Sequence, residues 1–84
     1  MTRYTVVWVQ SAVDELADIW LQAPDRNVVT AASHAIDQIL AEDAPMKGTE
    51  LSEGLRAIFV PPLRCIFTIR EDDRIIEVLR VRVL

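Results

Sequence analysis

The chain has 84 residues, 51% hydrophobic and 26% charged, with thirteen acidic against nine basic residues and a formal charge of −4. That length makes one small domain, the composition excludes intrinsic disorder, and no apolar run approaches the roughly 18–20 residues that span a bilayer. A single cysteine, Cys65, excludes a disulfide framework and a cysteine-rich zinc site.

The β-branched and aromatic run from Arg3 to Val9 predicts a strand, with Tyr4, Val6 and Trp8 on one side and Thr5, Val7 and Val9 on the other. Residues from Thr2 to Gln10 contain no apolar signal-peptide core, so the chain is expected in the cytoplasm. Ser11, three positions before Asp14, reads as the cap of a first helix. Val13, Leu16, Ala17 and Trp20 form its apolar stripe, widened by Ala12 and Ile19. Asp14, Glu15 and Asp18 suit the positive end of its dipole. Ala23-Pro24-Asp25 ends it, because the residue before a proline leaves the α region.

A second helix is expected from Asp25 to Ala41, with Val28, Val29, Ala32, Ala35, Ile36, Ile39 and Leu40 turned inward and Pro45 closing it. Met46 to Gly54 has no periodicity and reads as a loop. Leu55–Val60, Leu63–Arg70 and Ile75–Val83 then alternate as strands, joined by Pro61-Pro62 and by Glu71-Asp72-Asp73. The order is β-α-α-β-β-β. Such short joints make the last three strands an antiparallel meander. The expected fold is therefore α+β, a helical hairpin covering one face of a mostly antiparallel four-stranded sheet, the first strand lying beside the last one or at the meander's edge.

Charge is unevenly placed. Residues 1–55 carry Arg3, Arg26 and Lys47 against nine carboxylates, whereas residues 56–84 carry six arginines against four. A mean hydropathy of +0.21 exceeds what so small a core can hide and points to a partner surface. Arg56 and Arg64 sit within apolar strands, and Arg64 opposes Leu63 and Cys65, which puts it on the open face of the sheet. A guanidinium there is a fixed fork for phosphate or carboxylate; the plainer alternative is a salt bridge to Glu53, Glu77 or a carboxylate of the first helix. Ile58, Val60 and Ile66, with Leu79 or Val81, are expected to make that open face apolar. Arg80 and Arg82 alternate along the last strand as further binding candidates or rim charges. Glu50 and Glu53, in the loop before the arginine-bearing strand, are the carboxylates available as a general base. His34 reads as a helix surface residue and Cys65 as a small core side chain. No metal-ligand spacing, phosphate loop or nucleophile elbow is present, and no cofactor is implied.

Taken in order, Leu55-Arg56-Ala57-Ile58-Phe59-Val60, Pro61-Pro62-Leu63-Arg64-Cys65-Ile66-Phe67 and Asp72-Asp73-Arg74-Ile75-Ile76-Glu77-Val78 resemble the RelE/ParE toxins of bacterial type II toxin–antitoxin systems, the plasmid-stabilisation type. Trp8 before a Ser-Ala helix start and Arg26 opening the second helix are similar to the first half of that pattern. The resemblance implies a growth-inhibiting toxin silenced by a cognate antitoxin. It implies one of two targets: mRNA cleaved in the ribosome by attack of a 2′-hydroxyl, or DNA gyrase. For the nuclease reading it implies Arg64 as the phosphate-stabilising residue and Arg56 as the basic residue of the preceding strand, and that reading needs Glu50 or Glu53 close enough to act as base. Residues 80–84 hold neither the His nor the Tyr that nuclease members carry there, and Phe67 stands where a tyrosine is often found. A fold retained only for protein binding or for homodimerisation is the third reading.

Overall fold

The computed structural model describes residues 3–44 and 47–84. Pro45 and Met46, the expected helix stop and loop start, lie outside the described residues, as does Thr2. Strand β1 (Thr5–Trp8) leads into helix α1 (Gln10–Gln22) and helix α2 (Arg26–Asp43), followed by β2 (Thr49–Ser52), β3 (Leu55–Val60), β4 (Leu63–Arg70) and β5 (Ile75–Val83). The sheet has five strands in the order β1-β5-β4-β3-β2. Strands β2 to β5 form the meander, and β1 joins β5 in parallel. That pairing is possible because the helical hairpin carries the chain across the sheet to β2 and the meander then returns it to β5, a connection far longer than the roughly dozen residues a parallel pair needs.

The fifth strand is a correction. Thr49–Ser52, expected as loop, pairs antiparallel with β3. All four of its residues are exposed, so it carries none of the alternation by which a half-buried strand is recognised. Gly48 leads into it with a φ of +78°, and a Cβ there would run into the Ala57 carbonyl oxygen. Only glycine lets the chain approach β3 so closely.

The core lies between the helices and one face of the sheet. Leu63, Cys65 and Phe67 of β4 and Ile76, Val78 and Val81 of β5 are wholly buried, and Ile36 and Leu40 of α2 meet them with Val29, Ala32 and Ala12. Several expected positions are corrected here. Val9, not Ser11, is the α1 N-cap, and it makes no side-chain cap. The inward face of α1 runs through Ala12, Leu16 and Ile19, whereas Val13 and Trp20 stand out in solvent, as does Val28 of α2. Trp20 is nonetheless engaged. Its indole N–H donates to the Thr30 hydroxyl at 3.1 Å, and the Arg26 guanidinium lies 4.6 Å from its ring centre while donating to the Trp20 and Leu21 carbonyls. Those bonds close the open carbonyl end of α1. Asp25 caps α2 by accepting from the Asn27 amide at 3.0 Å.

Val60 and Leu63 are direct partners across the Pro61-Pro62 turn, whose peptide bond is cis. Ladder partners share a face, so Val60, Ile58 and Arg56 lie on the helix side with Leu63, and the expectation of Ile58 and Val60 on the open face is corrected. Val81 is likewise in the core.

Phe67→Ala, at the middle of the central strand, is expected to cost about 3–5 kcal/mol in urea unfolding. Val28→Ala should change stability by less than about 0.5 kcal/mol; comparable losses would mean that α2 is rotated about its axis.

Candidate functional site

The pleat of β4 positions Arg64. Its neighbours Leu63 and Cys65 are wholly buried, so Arg64 projects from the face without helices. Its ladder partners Phe59 and Arg82 stand on the same face. With Thr49, Leu51 and Ala57, Arg64 and Phe59 line a shallow cavity of about 480 Å³. Phe59 is 53% and Leu51 45% exposed. Large apolar side chains in water beside a guanidinium mark a contact surface more readily than a scattered surface residue does. Ile66 continues the face next to Arg80. Among the described residues the Arg64 side chain makes no hydrogen bond or ion pair.

Arg56 and Glu50 are elsewhere. Arg56 pairs with Phe67 on one side and Glu50 on the other, which sets all three on the helix side of the sheet. Its Nη2 donates to the Lys47 and Gly48 carbonyls at 3.1 and 3.3 Å, and its Nε is buried without a partner among the described residues. Arg56 thus ties the entry of β2 to β3. The three side chains expected to act together do not converge. Phe59, the partner of Arg64, is an odd number of residues from Arg56, and such positions point to opposite faces.

Arg80 and Arg82 converge on one carboxylate of the first helix, expected from its position to serve the helix dipole. Glu15 of α1 accepts from Arg80 Nε at 3.1 Å, from Arg82 Nη1 at 2.6 Å and from the Val81 amide at 3.0 Å. Strand β1 stops opposite Val78, leaving the edge of β5 unpaired at Val81, and α1 passes where the next strand residue would be. The Arg82 hydrogen bond holds the Glu15 carboxyl below its ordinary value; burial opposes this, while the Val81 amide and the Arg82 charge reinforce it. The signal in the sequence is that Glu15 lies three positions after Ala12 and four before Ile19, on the inward flank of the helix, where a charge needs a partner.

Other candidates are occupied or remote. Tyr4 donates from its hydroxyl to Glu71 at 3.0 Å. Trp8 donates to Asp37. His34 is exposed on α2, across the sheet from Arg64. Burial pushes the Cys65 thiol up to about 12, with the nearby Asp37 charge adding to it, so it is not a nucleophile at neutral pH. Among the described residues no group of His, Cys, Asp and Glu could hold a metal ion, and no helix is long and apolar enough to cross a membrane. A second groove of about 480 Å³, lined by Ile19, Val28, Val29, Pro62 and Val83, opens where the helical hairpin meets the end of the sheet.

The helical hairpin on a five-stranded sheet is a fold shared with solved structures of toxin–antitoxin toxins. The chain superposes on the RelBE2 toxin–antitoxin complex of Mycobacterium tuberculosis with a TM-score of 0.83 at 18% identity, covering 100% of this chain and 94% of that one. For the chromosomal ParDE system of P. aeruginosa the values are 0.69 and 18%, covering 98% and 97%. For the isolated E. coli RelE toxin they are 0.66 and 12%, covering 95% and 83%. No curated protein matches the chain by sequence. The family described as ParE toxin of type II toxin–antitoxin system, parDE, matches residues 6–83. The chain belongs to this family and is a toxin of the RelE/ParE class.

Arg64→Ala should alter stability by less than about 0.5 kcal/mol, and Arg56→Ala should cost about 1 kcal/mol by releasing two carbonyls. Glu15→Gln should cost about 1 kcal/mol at pH 7. A carboxyl held low in the folded state contributes stability above its unfolded value, and loses it as pH falls through the folded one. The gap between wild type and Glu15→Gln in thermal unfolding should therefore close below about pH 4.5, the ordinary value for this group.

Proposed function

We propose that the chain arrests growth by binding DNA gyrase rather than by cleaving mRNA, and that a cognate antitoxin silences it by covering the face that carries Arg64 and Phe59. The observation that carries this reading is the separation of the charged candidates. Arg64 stands on the open face, while Arg56 and Glu50 lie on the other side of the sheet. Transition-state stabilisation without a positioned acid–base partner forfeits about 10²–10⁴-fold in rate. A protein-binding surface needs no such partner. It needs an anchor, and an arginine flanked by exposed Phe59 and Leu51 is of the residue types that dominate binding energy. Membership of the ParE family supports gyrase as the target, in line with the resemblance noted from the sequence.

One observation favours mRNA cleavage instead: Arg64 and Arg82 are direct ladder partners, so a phosphate that drew Arg82 off Glu15 could be shared by both. Inducible expression in bacteria separates the two, with labelled thymidine and labelled amino acid incorporation followed from the same culture. Thymidine incorporation should fall first, with filamentous cells, and purified protein should block gyrase supercoiling in vitro. Arg64→Ala should weaken both effects at least tenfold at equal soluble expression. Immediate loss of translation would overturn this in favour of the nuclease. Normal growth with soluble protein would leave a fold used only for protein binding.

A further inference from the structure

We infer that Glu15 is an internal counter-ion that holds Arg80 and Arg82 off the open face, and thereby denies the chain a three-arginine site for the phosphate backbone of single-stranded RNA. The inference concerns what the same face excludes. It stands whether or not gyrase is the target, because its readout is RNA binding in vitro.

Arg80 and Arg82 start from the open face. Arg82 is the ladder partner of Arg64, and Arg80 that of Ile66; partners share a side of the sheet, with Cβ atoms about 5 Å apart. Their guanidinium groups nevertheless end at the edge of β5, on the Glu15 carboxylate, which the Val81 amide also holds. Three donors on one carboxylate make an anion site already filled by the protein's own anion. Three arginines on adjoining strands, without Glu15, would present a row of permanently charged forks, the chemistry that recognises successive phosphates. With Glu15 in place Arg64 is the member of the three that is uncommitted among the described residues. Both arginines at the carboxylate are about half exposed, and Glu15 less so. The clasp is therefore reachable by solvent but anchored on its acidic side. An overall charge of −4 adds no compensating long-range attraction for a polyanion.

The test is fluorescence-anisotropy titration of a labelled single-stranded 12-mer RNA with purified full-length protein over a series of salt concentrations. Glu15→Gln keeps the size of the side chain and an acceptor for the Val81 amide while removing the charge. It should raise RNA affinity about tenfold and steepen the log–log salt slope by about 0.7 for each arginine released. Arg82→Gln added to Glu15→Gln should remove most of the gain. Unchanged affinity in a folded Glu15→Gln protein, or a gain indifferent to Arg82, overturns the inference. Two variants in the otherwise native chain provide an independent arm should Glu15→Gln fail to fold. Arg64→Gln should lower the residual affinity more than Arg82→Gln does, because Arg82 is already engaged; equal losses overturn the inference as well. Growth inhibition is scored separately, so failure of the gyrase reading leaves this result intact.

Discussion

Everything else in the molecule depends on α2 lying across the face of β4 that carries Leu63, Cys65 and Phe67. These three side chains are wholly buried, and Ile36 and Leu40 of the helix are buried with them. A strand offers its side chains alternately to two faces, so covering one set consigns the other to the opposite side. Arg64, Ile66 and Thr68 are thereby turned outward, with no helix to cover them. The functional face is the remainder left by core packing, and its residues are legible once the direction of the core is known.

The same rule separates residues that look equivalent along the chain. Arg56 and Arg64 are both cations set among apolar strand residues, yet one ties down backbone carbonyls on the helix side and the other has a side chain that faces outward unpaired among the described residues. The difference is one of parity, set by the two-residue turn that makes Val60 and Leu63 partners. A register shift of a single residue would turn Arg56 to the same face as Arg64. What the toxin presents to its surroundings is thus governed by the turn as much as by the arginines themselves.

The edge of β5 presents the complementary problem. Strand β1 protects it only as far as Val78, and an unpaired edge beyond that invites another chain. The protein closes the gap with a side chain, Glu15, instead of a strand. Because that side chain is charged, closing the edge also draws in Arg80 and Arg82. A contact that is structural in origin therefore alters the electrostatic character of the neighbouring face.

The sequence by itself determined the two helices, β1, β3, β4 and β5, the inward set of β4, and the outward Arg64. Each of these is written as a local period of two or of about 3.6 residues, or as a proline that ends an element. Only the tertiary structure decided the rest. Thr49–Ser52 is a strand because β3 offers it hydrogen bonds; its own residues are all exposed and carry no pattern. The face of Arg56 was recoverable from the Pro61-Pro62 spacing, but β3 is apolar on both sides, with Ile58 and Val60 against Ala57 and Phe59, so periodicity alone could not choose. The parallel docking of β1 on β5, and the meeting of Glu15 with Arg80 and Arg82 more than sixty residues away, depend on how the helical hairpin crosses the sheet. No local period encodes that crossing, because it is fixed by the fit between whole elements rather than by the preferences of any one of them.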